Sequence, residues 1–416
     1  VKTFGCRVNQ AEGEGLRSSL LAGGSTEAEG FEDADLCVIN TCTVTAEADR
    51  EALALLRRVT RRNPAARLVV TGCLATRDPE LVRAAAPAAV LVGNDAKASI
   101  PAMFGCSPAP AEAALPAMAG RSRAFLKVQD GCNMDCTYCT IPSIRPALSS
   151  VPLPELIERT GAYAAAGVPE IVLCGIRLGR YLWRAPGEPR VDLGGLVERL
   201  LKLPGDFRVR LSSLEVTDAT DRLLTLMASS GGRLCPSLHL PLQSGSDAVL
   251  KRMKRWYSAD FYRRRVERYR ELVPGGALFT DVIAGFPGET DAEHRESLEF
   301  AQALEFDGFH VFRYSPRPGT AAAALTPPDP RVVRARAESW RALDSARRAA
   351  HAERAVGRER TVAPELSGRE GLTEDFLTVA LERALPPGLH RVRLVRPLDP
   401  RGEGAEGPCP PVAIRI

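Results

Sequence analysis

The nine residues Gly131-Cys132-Asn133-Met134-Asp135-Cys136-Thr137-Tyr138-Cys139 follow an apolar run and space three cysteines as C-x3-C-x2-C. Three thiolates can hold a four-iron cluster with one iron left open. A cubane held by four cysteines passes electrons, whereas one held by three can bind a small molecule at its free iron and do chemistry on it. A loop of this kind directly after a strand also constrains the fold. It belongs at the strand C-termini of an α/β architecture, where such folds place their chemistry.

At 416 residues the chain exceeds what one hydrophobic core usually organises, so two or three domains are expected. No apolar run reaches the roughly 18 residues that span a bilayer, and the N-terminus lacks the charged, apolar and small-residue order of a secretion signal. The expectation is a cytoplasmic protein with no membrane partner. Eleven cysteines would be reduced there, and an odd number without small-domain spacing argues for metal ligation over a disulfide framework.

The first hundred residues alternate short apolar runs with segments of helical period. LCVIN (Leu36 to Asn40), RLVVT (Arg67 to Thr71) and AVLVG (Ala89 to Gly93) read as buried parallel strands, and Ala46 to Thr60 as a helix between two of them. Cys6, Cys42 and Cys73 each come just after an apolar run. In an open parallel sheet the strand C-termini share one edge, so these three cysteines can converge as a second ligand set. The plainer alternative is that each is a small buried hydrophobe.

Residues 107–121, rich in proline, glycine and alanine, read as a linker after a first domain over 1–106. Beyond it, AFLKVQ, EIVLCGI, RVRLSSL, SLHLPL, LFTDVIAGF and FHVFRY give six β/α units. Six cannot close an eight-stranded barrel, so an open partial barrel is expected over 122–350, with a helix from Arg331 to Val356 returning across it. Short strands between glycines and prolines over 355–416 read as a small β-barrel. The fold class is therefore α/β: an N-terminal parallel sheet, a central (β/α)6 partial barrel and a C-terminal β-barrel.

Net charge is only +4, but basic residues cluster. Lys251, Arg252, Lys254, Arg255, Arg263, Arg264, Arg265, Arg268 and Arg270 interleave with Trp256, Tyr257, Phe261, Tyr262 and Tyr269, and arginines recur from Arg331 to Arg360. Guanidinium groups mixed with aromatics suit phosphates and stacked bases, and a solvated helix face is the other reading.

Several ordered motifs then carry a resemblance along essentially the whole chain. They are Gly5-Cys6-Arg7-Val8-Asn9-Gln10, Val38-Ile39-Asn40-Thr41-Cys42-Thr43-Val44-Thr45, Thr71-Gly72-Cys73, the cysteine loop from Lys127 to Cys139, Leu211-Ser212-Ser213-Leu214-Glu215, His239-Leu240-Pro241-Leu242-Gln243-Ser244-Gly245-Ser246, Asp281 through Thr290, and Phe312 to Arg317. The sequence resembles the radical S-adenosylmethionine methylthiotransferases, and the residues around the first two cysteines resemble the branch that modifies threonylcarbamoyladenosine in tRNA. The C-terminal segment resembles a TRAM module, an RNA-binding barrel.

The resemblance implies two [4Fe-4S] clusters. Cys132, Cys136 and Cys139 would hold the cluster that binds S-adenosylmethionine, and Cys6, Cys42 and Cys73 a second that presents sulfur. S-adenosylmethionine would serve as radical source and as methyl donor, and the product would be 2-methylthio-N6-threonylcarbamoyladenosine at tRNA position 37. The partners implied are tRNA, a reducing electron donor such as a flavodoxin or ferredoxin, and a sulfur donor. Tyr138 is where such enzymes set an aromatic against the adenine. Gly285 and Phe286, ending a strand, would line that adenine, and Ser213, Glu215 and Gln243 would contact ribose, the methionine portion or substrate. Cys37, Cys106, Cys174, Cys235 and Cys409 match no ligand position, and His239 reads as a satisfied core histidine.

Departures from the family pattern are a first strand cut to Val1-Lys2-Thr3-Phe4, which leads one to expect a start upstream, Pro146 and Ser150 after the radical loop, Cys174 and Arg177 in a strand-end run, and Phe376 for a tyrosine in the last module. Other readings are methylthiotransferases acting on isopentenyl-adenosine tRNA or on a ribosomal protein, and a non-enzymatic iron–sulfur protein that binds RNA or senses redox state.

Overall fold

The computed structural model describes residues 1–106, 122–396 and 411–415. The expected linker over 107–121 and Cys409 lie outside the described residues.

The N-terminal sheet contains β1 (Lys2–Thr3), β2 (Leu36–Thr41), β3 (Arg67–Gly72) and β4 (Val90–Leu91), parallel and in sequence order. Alternation along β2 and β3 sorts the side chains to two faces. Ile39 and Val70 pack under α2 (Ala46–Arg62), α3 (Cys73–Arg77) and α4 (Pro79–Ala85). Val38 and Val69 face Leu16 and Leu20 of α1 (Arg7–Ala22). Helix α2 starts where Thr45 accepts from Ala48 N–H, with Glu47 and Asp49 in its first turn and Arg61 and Arg62 in its last, matching the helix dipole at both ends.

The six expected apolar runs all form strands: β5 (Arg123–Asp130), β7 (Glu170–Gly175), β10 (Arg208–Leu211), β11 (Ser237–His239), β12 (Ala277–Ala284) and β13 (Gly308–Arg313). The short β6 (Ser149–Ser150) lies antiparallel on β5, and β8 (Leu182–Trp183) with β9 (Val191–Asp192) makes a separate hairpin. β5-β7-β10 and β11-β12-β13 are two parallel halves joined by the parallel bridge between Val209 and Leu234. β5 and β13 do not pair among the described residues, so the barrel is open.

Leu126, Ile171, Leu173 and Val209 face an outer layer formed by α6 (Leu153–Ala165), α7 (Leu193–Leu201), α8 (Asp221–Ser229) and α10 (Ala259–Leu272). The short α5 (Ile141–Ile144) follows the cysteine loop, and α9 (Asp247–Arg252) and α11 (Asp291–Ala303) complete the units. The returning helix α12 (Pro330–Ala355) sets Trp340 5.6 Å from the Phe309 ring of β13. On the concave face, Phe125 and Cys174 receive Val8 and Ala11 of α1, so the first sheet's helix occupies the open side of the barrel.

A closed barrel ends the chain: β14 (Glu359–Pro364), β15 (Glu370–Thr373), β16 (Thr378–Leu381), β18 (Val412–Arg415) and β17 (His390–Val395) in ring order. Buried Glu170 holds it in place indirectly. Its carboxylate accepts from Arg208 Nε and Arg210 Nε, both at 2.7 Å, and those guanidinium groups donate onward to the carbonyls of Thr361, Leu372 and Thr373 at 2.7 to 2.8 Å.

The arginine–aromatic stretch is corrected by the packing. Tyr257, Tyr262 and Tyr269 are core residues whose hydroxyls donate to the carbonyls of Pro241, Leu240 and Ala277. Arg264, Arg265 and Arg268 pair with Asp260 and Asp221. In the second stretch, Arg336, Arg348, Arg354 and Arg360 pair with Glu289, Asp344, Asp307 and Asp375. Those three tyrosines are not a stacking platform, because periodicity turned them inward, while Trp256 of the same stretch stays exposed.

Candidate functional site

The loop after β5 turns at Gly131, whose φ is +80° and where a Cβ would lie 1.9 Å from the Ala147 carbonyl oxygen. Cys132 N–H donates to the Arg145 carbonyl at 3.0 Å, Met134 N–H reaches Cys132 Sγ at 3.4 Å, and Cys139 N–H donates to the Cys136 carbonyl. Cys132, Met134 and Cys136 pack together with Tyr138, Cys139 and Ile176. Burial raises the pKa of all three thiols, that of Cys139 to about 12.

Cations oppose that burial. Arg255 Nη1 donates to Cys136 Sγ at 3.1 Å and to Tyr138 Oη at 3.4 Å, while its other nitrogen is ion-paired with Glu215. Arg177 donates from Nη1 to Asn133 Oδ1 at 3.3 Å and stacks 4.9 Å over Trp256, leaving its buried Nη2 without a hydrogen-bond partner. Both guanidinium groups act electrostatically on Cys132.

The second set lies at the C-terminal edge of the first sheet. Gly72, at φ +95°, brings its Cα close enough to β2 that a Cβ would meet the Thr41 carbonyl oxygen at 2.3 Å, and Cys73 follows as the first residue of α3. At Gly5 a Cβ would lie 2.5 Å from Cys42 Sγ. Cys6 is exposed as a residue, yet the surrounding protein desolvates its thiol and raises its pKa. Burial likewise pushes Cys42 up to about 12, with Cys6 and Cys73 adding to the shift, so the three sulfurs sense one another. Asn94 Nδ2 approaches Cys73 Sγ at 3.9 Å.

Arg145 lies between the sets. Its carbonyl binds Cys132 N–H, and its guanidinium donates to Asn9 Oδ1 at 3.1 Å and Asn94 Oδ1 at 3.2 Å, the two amides beside Cys73. A bidentate pair with Glu12 at 2.9 and 2.8 Å and bonds to Asp130 at 2.9 and 2.7 Å fix it. Burial alone would raise the Glu12 pKa, but Arg145, Lys97 and Lys127 hold it well below the carboxylate range.

The remaining expected residues divide. Tyr138 and Phe286 meet in one apolar group with Met253 and Tyr314. Glu215 reaches the radical loop through Arg255, and burial raises its pKa despite that partner. Gln243 sits at φ +66°, bridged to Val282 at the strand ends. Gly285 has a packing reason of its own: a Cβ would lie 2.7 Å from Val333 of α12. Ser213 faces the barrel interior, 2.6 Å from His239 Nδ1. His239 is not a core histidine. It shares Asp281 with His310, at 2.9 and 3.1 Å, on the concave face. Asp281 lies in the Asp281–Thr290 motif and His310 in the apolar run FHVFRY, where both read as ordinary strand residues. Arg255 was hidden in a run of like charges.

The thiols of each set interact with one another and have positive charge alongside, and among the described residues Arg177 Nη2 and Arg145 Nε have no acceptor. An electron-rich cluster ligated by three thiolates fits the chemistry of both donor sets, and open-iron chemistry fits a loop whose Tyr138 and Cys139 stay partly accessible.

Known proteins resemble the chain over most of its length. Residues 126–301 match the Radical SAM superfamily and residues 1–93 match the uncharacterized protein family UPF0004. The chain is 40% identical over 321 residues to the threonylcarbamoyladenosine tRNA methylthiotransferase MtaB of Chlamydia pneumoniae, covering 77% of this chain and 75% of that protein. It is 34% identical over 397 residues to the protein of the same name from Thermotoga maritima, covering 90% and 88%. The tRNA-2-methylthio-N(6)-dimethylallyladenosine synthase of Novosphingobium aromaticivorans is 37% identical over 340 residues, covering 78% and 76%. Among solved structures, the radical S-adenosylmethionine methyltransferase TsrM of Kitasatospora setae shares the fold with a TM-score of 0.50 at 14% identity, covering 71% of this chain and 67% of that one.

Proposed function

This chain belongs to the radical S-adenosylmethionine methylthiotransferase family, and from that premise we propose that it converts N6-threonylcarbamoyladenosine at position 37 of tRNA into its 2-methylthio derivative. The observation that carries the reading is the pair of cysteine sets joined through Arg145. An electron-transfer or RNA-binding protein has no use for two three-cysteine sites that share one buried arginine.

We assign Cys132, Cys136 and Cys139 to the cluster that binds S-adenosylmethionine, and Cys6, Cys42 and Cys73 to a second cluster. When bound, these groups supply one-electron cleavage of the cofactor, hydrogen abstraction at an unactivated adenine C–H, and sulfur and methyl donation. The chain's own residues perform the rest. Arg255 hydrogen-bonds Cys136 Sγ and so tunes the electron density on that ligand. Tyr138 and Phe286 form an apolar wall at the radical loop. The packing of Val8 and Ala11 of α1 against Phe125 of β5 and Cys174 of β7 fixes the first domain against the concave face of the barrel.

Residues 1–106 then present sulfur, 122–350 generate the radical, and the barrel within 355–416 takes up RNA. A flavodoxin- or ferredoxin-type reductant and a sulfur donor complete the reaction, and a cytoplasmic setting suits a tRNA substrate. No helix among the described residues is long and apolar enough to cross a membrane.

The test is anaerobic reconstitution followed by incubation with reductant, S-adenosylmethionine and threonylcarbamoylated tRNA, with nucleosides analysed by mass. A methylthio mass gain supports the reading. Cofactor cleavage with no modified nucleoside contradicts it.

A further inference from the structure

Helix α1 and the C-terminal barrel do not fill the concave face of the partial barrel. Between them lies a small, partly open space lined by Arg7, Arg210, His239, Phe279, His310 and Phe376, among others. Its two guanidinium groups differ. Arg210 is fully used by Glu170, Ser237 and the Thr373 carbonyl. Arg7 makes no side-chain hydrogen bond or ion pair among the described residues and lies 5.7 Å over the Phe376 ring. A guanidinium taken largely out of water without an acceptor is costly to maintain.

Across the space, His239 Nε2 and His310 Nδ1 both lie against Asp281 Oδ1, at 2.9 and 3.1 Å. Asp281 Oδ1 hydrogen-bonds His310 Nδ1, and on its other side His239 Nδ1 lies in hydrogen-bond contact with Ser213 Oγ at 2.6 Å. His310, 48% exposed at the side chain, has no partner on Nε2 among the described residues. His239, Asp281 and His310 are close enough together to hold a metal ion. Arg7 and Arg210 in the same space oppose a divalent cation and favour an anion.

We propose that this space receives the carboxylate-bearing threonylcarbamoyl arm of the substrate nucleoside, with Arg7 recognising the carboxylate and His310 Nε2 meeting a polar group of the same arm. The proposal rests on the substrate named under Proposed function. Position supports it from two directions. Arg7 directly follows Cys6. Ser213, which touches His239, stands two residues from Glu215, whose partner Arg255 touches Cys136 Sγ. Two residues of extended chain span about 7 Å, comparable to the reach of one amino-acid arm from a purine ring. A dimethylallyl arm brings no charge and would leave Arg7 unpaired, so the same residue disfavours the other substrate class.

The test compares anticodon stem-loop RNAs carrying threonylcarbamoyladenosine, the corresponding threonine amide, or dimethylallyladenosine, with binding and methylthio product measured on the reconstituted enzyme. The wild type should bind the carboxylate form about 10-fold or more tighter than the amide. Arg7→Met should abolish that difference at unchanged iron content, Arg7→Lys should keep part of it, and His310→Gln should weaken binding of both polar arms. Arg7→Met retaining the wild-type ratio overturns the proposal. So does stoichiometric zinc on the wild type, lost in His239→Ala, that leaves the ratio untouched. Equal use of carboxylate and amide by a wild type that methylthiolates both refutes this inference alone. Product from the dimethylallyl RNA only refutes the substrate reading beneath it.

Discussion

Arg145 donates to Asn9 Oδ1 at 3.1 Å, and so ties the loop that carries Cys132 to the first turn of the helix that follows Cys6. The same guanidinium pairs with Glu12, largely shielded from solvent, and with Asp130. Replacing it by methionine leaves Glu12 with Lys97 and Lys127, and Asp130 with Lys127 alone. Arg145→Met should therefore lose about 2 to 3 kcal/mol of stability in urea denaturation, the scale of lost charge-assisted hydrogen bonds. Arg145→Lys should recover part of this, since one ammonium cannot reproduce a two-nitrogen fork. An unchanged midpoint in Arg145→Met would show that the bridge is not what joins the two sites.

Arg255 acts on Cys136 through one N–H at 3.1 Å. A hydrogen bond to a ligating sulfur withdraws charge and raises a cluster's reduction potential. Arg255→Gln should lower the midpoint potential of the radical-site cluster by some tens of millivolts, read by redox titration with electron paramagnetic resonance, at unchanged iron content. A potential identical to wild type would remove Arg255 from this role.

Glu170 is wholly buried and neutralises two arginines that in turn hold the C-terminal barrel by its carbonyls. Glu170→Gln leaves two uncompensated guanidinium groups and should cost about 3 to 5 kcal/mol. Limited proteolysis should release the C-terminal barrel earlier than in wild type. Equal digestion rates would mean that apolar packing alone docks the barrel.

Acid should expose the same electrostatics. The folded-state pKa of Glu12 is depressed, so its stabilisation is complete above the ordinary carboxylate value of 4.5 and is lost as pH falls below it toward the folded value. The urea midpoint should drop from about pH 5 down to about pH 3, and Glu12→Gln should show a smaller drop over the same range. Parallel pH profiles for the two proteins would contradict the depressed pKa.

The sequence made much of this legible because the signals were local. Apolar runs flanked by helical period located the six barrel strands, and cysteines placed just beyond strand ends located both sets, since the C-termini of parallel strands must share an edge. What it could not show was the partner of each long side chain. Arg255 and Arg264 sit in the same basic run, yet one touches Cys136 Sγ and the other a surface aspartate. Tyr262 and Tyr269 looked like stacking residues until helix periodicity turned them to the core. His239 read as a satisfied core residue because its two partners, Asp281 and His310, arrive from strands 42 and 71 positions away.

The central claim is the division of labour between the two cysteine sets, and substitution of Cys6 tests it most directly. Cys6→Ala, reconstituted anaerobically beside wild type, should fall from about eight irons per chain to about four. It should still cleave S-adenosylmethionine under reductant while forming no methylthio nucleoside. Loss of cofactor cleavage together with product, or retention of all the iron and the product, would contradict it.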